Sequence, residues 1–275
     1  MKNKMLVLLG SAALAVCIVA CGKSGREEVA VASSTDVCSM TFTAIDENGS
    51  KGYTIEALLE NRSPNINYIF SIEGAYADSL NADPFFASEV APGSKENAAF
   101  ILNQEAIDYL EQDISSIELY VKITDADHEE EPPIYEDRVI LLPKGSDANV
   151  KYKRKPEMGD KLLVDNENVK VTFLKAYSDE LWGYSLLLYL ENKTEDQKIR
   201  YSIEDCTVNT VAIDPFWATS LHGGKSGYAR VAFNTDDFKK NGITDVEEIT
   251  FTLKADSADE WSEDGLANEV VSIAP

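Results

Sequence analysis

The chain has 275 residues, 25 Lys+Arg against 48 Asp+Glu, and a formal charge of −23 at pH 7. That balance excludes a nucleic-acid or anionic-membrane binder, because neutralising phosphate takes clustered Lys and Arg. With 44% hydrophobic and 9% aromatic residues the chain is globular and long enough for one large or two medium cores, while 2 His and 4 Cys give zinc chemistry poor support.

At the N-terminus, Lys2 and Lys4 precede an uncharged, mostly apolar run from Met5 to Ala20. The run has the length of a signal-peptide core and falls short of the roughly 20 residues a membrane-spanning helix needs. It ends in Ile18-Val19-Ala20-Cys21, followed by Gly22, which resembles the lipobox of bacterial lipoproteins. The resemblance implies removal of residues 1–20 and lipidation of the Cys21 sulfur, a two-chain anchor that holds where one chain would not. Residues 21–36, with no aromatic, then read as a flexible tether. Losing Lys2 and Lys4 takes the charge from −23 to −25, so an anionic membrane surface repels the body it carries. The expected location is the outer side of the cell membrane.

The chain then repeats itself. An offset of 131 pairs Phe42 with Phe173, Gly52-Tyr53 with Gly183-Tyr184, Glu60-Asn61 with Glu191-Asn192, and Asp83-Pro84-Phe85 with Asp214-Pro215-Phe216. Near residue 113 the offset becomes 132, aligning Ile117, Leu119 and Val121 with Ile249, Phe251 and Leu253. The repeats span 37–143 and 163–275, each long enough for its own core. Within the first, Ile55, Ala57 and Leu59, then Ile117 to Ile123, recur at every second position; the second does the same from Val169 to Phe173, Tyr184 to Leu190 (alternating with Ser185, Leu187 and Tyr189) and Ile249 to Leu253. Period two means strands with one buried face. About seven such strands per repeat, cut by turn signals such as Asn48-Gly49, predict an all-β fold of two tandem immunoglobulin-like antiparallel β-sandwiches. One short helix per repeat is expected, Asn103 capping Gln104–Gln112 and Asn234 or Thr235 capping Asp236–Lys240. The stretch 144–162 is a basic island with Pro143, Gly145, Pro156 and Gly159 as breakers; it reads as a solvated linker rather than a docking strip for an anionic polymer.

In the second repeat, Leu163-Val164-Asp165-Asn166-Glu167 leads into the strand Val169–Phe173. Glu191-Asn192-Lys193, Asp214-Pro215-Phe216, Gly223-Gly224 and Asn241-Gly242-Ile243 follow. Together these resemble an uncharacterised family of Ig-like domains in lipoproteins of Gram-positive, clostridia-related bacteria. The first repeat resembles it more loosely, with Leu110-Glu111-Gln112-Asp113 where the second has Asn-Gly-Ile. The resemblance implies a sandwich fold and surface display, and no activity.

Chemistry-bearing motifs are sparse. Gly-x-Ser-x-Gly, a phosphate loop and His-Glu-x-x-His are absent from the sequence, and His128 and His222 sit at non-equivalent places, so no catalytic residue is assigned. Carboxylates recur after equivalent late strands, with Asp125 and Asp127 in one repeat and Asp256 and Asp259 in the other. They are weak candidates for calcium, since the spacing is not that of an EF-hand and charge runs are usually solvated. Trp182 and Trp261, in or beside expected loops, are the candidate contact aromatics. The doublets Phe85-Phe86 and Phe216-Trp217 recur in both repeats, which favours a role in the fold, one ring plugging the sandwich and the next half-covered. Cys38 and Cys206 are expected as free, buried thiols. The resulting expectation is a non-enzymatic binding or envelope-associated lipoprotein whose partner is a cell-envelope protein or glycan; the alternative is a lipoprotein that captures a cation such as calcium, or an oligosaccharide, for a transporter.

Overall fold

A computed structural model describes residues 14–16, 31–110, 113–144, 150–179, 183–258 and 265–275. In chain order its first strands are β1 (Leu14–Val16), β2 (Val31–Ser34), β3 (Cys38–Gly49), β4 (Gly52–Asn61), β5 (Tyr68–Ala77), β6 (Leu80–Asn81), β7 (Ala87–Val90), β8 (Lys95–Ile101), β9 (Ile117–Asp125) and β10 (Tyr135–Leu141), with helix α1 (Gln104–Asp108) between β8 and β9. Then come β11 (Lys161–Asp165), β12 (Val169–Asp179), β13 (Gly183–Asn192), β14 (Ile199–Val208), β15 (Val211–Ala212), β16 (Ala218–Leu221), β17 (Ser226–Phe233), β18 (Ile249–Ser257) and β19 (Ala267–Ile273), with α2 (Thr235–Lys240) between β17 and β18. The chain divides into two compact units, one of residues 1–78 and 82–151, the other of residues 79–81 and 152–275.

Each unit holds two antiparallel sheets. In the first, β2-β3-β4-β8 form one sheet and β10-β9-β5-β7 the other; β1 adds to β10 in parallel, Leu14–Val16 opposite Val139–Leu141. In the second, β11-β12-β13-β17 form one sheet, and β19-β18-β14 the other, with β15 and β16 both on β14. Alternation places Met40, Phe42, Ile55 and Leu59 of one sheet and Phe70, Leu119 and Val121 of the other in the first core, all fully buried. Phe173, Leu188, Val231, Tyr201, Phe251 and Leu253 fill the second in the same way.

The duplication extends to irregular features. Bulges interrupt β3 between Phe42 and Ala44 and β12 between Phe173 and Lys175. Asp78-Ser79 and Asn209-Thr210 both take φ near +50° then +70°, the paired left-handed geometry of a tight hairpin turn. The fully buried Asp78 carboxylate accepts from Ser115 N and Ser116 N, and Asn209 Oδ1 accepts from Glu247 N and Glu248 N.

Two expectations change. Helix α1 starts at the predicted cap, Asn103, whose side chain accepts from Ala106 N, but it stops at Asp108. No basic residue occupies its last turn and Asp108 itself opposes the helix dipole there, whereas α2 ends with Lys239 and Lys240. Strand β13 is buried on both faces from Ser185 to Leu190. Its outward Leu187 and Tyr189 are each 5% exposed, and the segment that begins at Tyr152 lies over Tyr189.

Candidate functional site

The polar groups that hold each unit together are also the ones that shape its loops. Asn61 and Asn192 end β4 and β13 and are 1% and 3% exposed. Asn61 Nδ2 donates to Ile66 O and Val90 O, both at 2.8 Å, while its Oδ1 accepts from Ser63 N. Asn192 Nδ2 repeats this on Gln197 O (2.7 Å) and Leu221 O (2.9 Å), with Thr194 N on its Oδ1. These clamps pin the loop after the strand to the last residue of β7 or β16.

The same strands carry the Asp-Pro-Phe turns. Ala82 N donates to Ala75 O and Ile213 N to Cys206 O, fixing the chain just ahead of each turn. Asp83 Oδ1 then accepts from Phe85 N at 2.9 Å, and Asp214 Oδ1 from Phe216 N at 2.8 Å. Phe85 and Phe216 have φ of 50° and 45°. Proline followed by a left-handed residue is the pattern of a type II turn, where Gly is the usual occupant; a ring there costs of order 1 kcal/mol. Instead of plugging the sandwich, the rings of Phe85 and Phe216 are 88% and 95% exposed. Phe86 is the half-covered partner, its centroid 5.1 Å from that of Phe100. Each unit thus spends backbone strain to present one bare phenyl ring.

A second aromatic cluster lies on the outward face of β12-β13-β17. Tyr152 Oη is 2.6 Å from Tyr228 Oη, and its ring meets Tyr189 and Tyr228 with centroids 6.4 Å away in each case. Arg154 stacks over Tyr189 at 5.9 Å and forks onto Asp160 at 2.6 and 2.9 Å, which holds the Asp160 carboxyl below its ordinary range. Burial pushes Tyr189 up to about 12. So part of the basic stretch is packed rather than solvated, and the outward Tyr and Leu side chains of β13 and β17 are the sequence signal for it.

The other candidates are placed as follows. Asp125, at the end of β9, accepts from Asp127 N at 2.9 Å and so closes its own loop. Asp256 is half-buried near the end of β18. Among the described residues no group of three or more His, Cys, Asp or Glu stands together as a metal site. Cys21, Trp182, Asp259 and Trp261 lie outside the described residues. His128 Nδ1 is 3.9 Å from Glu130 Oε1 on an exposed loop. Cys38 and Cys206 are buried and unbridged; burial and the nearby Asp214 push the Cys206 thiol up to about 12. Among the described residues no helix is long and apolar enough to cross a membrane.

No family model matches the chain, and a search of curated proteins finds none similar to it. Among solved structures, the YadV chaperone is similar over 80% of this chain and 92% of its own, at 11% identity and a TM-score of 0.23. The exo-chitosanase CsxA of Amycolatopsis orientalis is similar over 85% of this chain and 26% of its own, at 10% identity and a TM-score of 0.22. Oxalate decarboxylase of Bacillus subtilis covers 93% of this chain and 80% of its own, at 8% identity and a TM-score of 0.20. Likenesses this loose carry no argument about the function of this chain.

Proposed function

We propose that the chain is a membrane-anchored extracellular lipoprotein, lipidated at Cys21, whose two units are Ig-like sandwiches acting as a non-enzymatic binding module for a protein of the cell envelope. The observation that carries this reading is the pair of equivalent phenyl rings, Phe85 and Phe216, exposed at positions where the backbone strain favours Gly. Aromatic side chains in solvent are poor for solubility and good as contact anchors, and strain retained in both copies asks for a role outside the fold.

The test is crosslinking of the tagged full-length protein in its native cells, beside a Phe85→Gly/Phe216→Gly double variant. One envelope protein should be recovered reproducibly and fall about tenfold or more in the variant. The folding stability of the variant should change by less than about 1 kcal/mol per site, because relieved strain offsets the added chain entropy of Gly. Equal recovery would remove the rings from the contact, and recovery of wall glycan alone would replace the protein partner. A Cys21→Ala variant should leave the membrane fraction; one that stays there would remove the anchor from the proposal.

A further inference from the structure

Strand β10 lies at the border of its sheet. One edge serves β9 in unbroken register from Tyr135 to Leu141. Among the described residues the other edge serves only β1, which runs parallel to it with Leu14, Ala15 and Val16 opposite Val139, Ile140 and Leu141. Bare strand edges invite pairing, and proteins guard them with charge, proline or a bulge. Glu136, Asp137 and Arg138 guard the first half of β10 in this way. Two other border strands are guarded as well, β11 by Lys161 and a bulge after Leu162, β8 by Lys95 and Glu96. Val139-Ile140-Leu141 has no charge, no proline and no bulge, and this is the stretch that β1 covers. Val139 and Leu141 are 3% and 0% exposed, so the core fixes the backbone there while its outer amides and carbonyls face the added strand.

The covering strand belongs to residues 1–20. On the lipoprotein reading proposed above, on which this inference rests, that segment is cut away and β10 loses its neighbour. Residues 21–30, which then precede β2, hold Lys23, Arg26, Glu27 and Glu28, and among them no run of three apolar residues to replace Leu14-Ala15-Val16. Val29 and Ala30 lead straight into β2, which is committed to β3. A two-fold contact with a second copy would set β10 against β10 antiparallel, the opposite of the pairing seen.

We infer that the outer edge of β10 is a strand-addition site that accepts, in parallel, an extended uncharged segment of small and aliphatic residues from an envelope protein once residues 1–20 have left it. Strand addition takes its affinity from main-chain hydrogen bonds and its selectivity from side chains at alternate positions. A pairing 3 residues long is weak by itself, as an occupant that gives way on processing must be.

The probe is a synthetic peptide of residues 11–19 carrying Cys17→Ser. It is titrated into the chain isolated from its native membranes and into the full 275-residue chain from cell-free synthesis, which keeps residues 1–20. The processed chain should bind it saturably and about tenfold or more tightly than the full chain, whose edge is already filled. Hydrogen exchange at Val139–Leu141 should be faster in the processed chain than in the full chain, and the peptide should slow it again while β19 stays unchanged. A peptide with Ala15→Pro/Val16→Pro stays apolar but loses two consecutive amides, one of which must face β10, and should bind about tenfold more weakly. None of these comparisons requires a protein variant to fold. Equal binding by the proline peptide would mean unspecific apolar adhesion and overturn the proposal, as would equal binding by the two chains. Exchange at Val139–Leu141 that is already slow in the processed chain without peptide would give the edge to residues 21–30 or to a second copy, and overturn it too. The mass of the native chain separates this proposal from the reading beneath it. A native chain that still carries residues 1–20 overturns both, while a processed chain that ignores the peptide overturns this one alone.

Discussion

At the scale of single residues, the two buried asparagines are the sharpest case of a side chain doing several jobs at once. Each serves two carbonyls and one amide. Replacing either by Ala strips the buried Val90 or Leu221 carbonyl of that amide, at about 1–3 kcal/mol for each buried group left unpaired; Gln197 O keeps Thr194 Oγ1 as a second donor. Both Asn61→Ala and Asn192→Ala should therefore lower the urea midpoint, Asn192→Ala by less because Thr194 still serves Gln197 O. A loss in only one would mean that water replaces the amide in the other. Cys206 gives a pH signature instead. The folded chain keeps its thiol proton to about pH 12, while an unfolded thiol gives it up near 8.5. The native state therefore binds the extra proton between those limits, so this group's contribution to stability is whole below about 8.5 and is lost as pH rises towards about 12. Urea midpoints should fall with rising pH across the accessible lower part of that window, and fall less steeply in Cys206→Ala. Parallel slopes would contradict the assignment.

Secondary-structure elements show what hydropathy alone misses. Strand β13 turns Ser185, Leu187 and Tyr189 outward, yet Leu187 and Tyr189 are as buried as many core residues, and Tyr152 and Arg154 lie over Tyr189. Tyr152→Ala should uncover that face and lose the Tyr228 hydroxyl contact, destabilising the second unit by about 2 kcal/mol. Hydrogen exchange should report it as faster exchange in β12, β13 and β17 with β3, β4 and β8 unchanged; unaltered β13 would mean that the segment rides on the face without supporting it. The Asp-Pro-Phe turns teach the complementary point. Composition suggests a buried ring, but the sign of φ after a proline depends on the Asp side chain capturing the next amide. That is a hydrogen-bond decision, invisible to a count of apolar residues.

For the whole molecule, the all-β antiparallel build was legible because it rests on period-two patterning and on an internal offset. That offset preserves the core rings Phe42 and Phe173, the Asn clamps, and the bulges next to them. The candidate site was legible only as residue types. Phe85 and Phe216 were visible as recurring aromatics, but their exposure follows from backbone geometry. The sheets themselves have a further consequence. Strand β5 pairs with β9, some fifty residues downstream, and β14 pairs with β18 across a similar gap. Chains built on such distant pairings fold in roughly milliseconds to seconds. If the chain is threaded through a translocation channel from its N-terminus, β5 must wait for β9 to emerge, and β14 for β18. Export order then dictates the order of closure: the first unit completes while the second is still in transit, and the late-arriving strands act as the latch that keeps each half threadable until it is across.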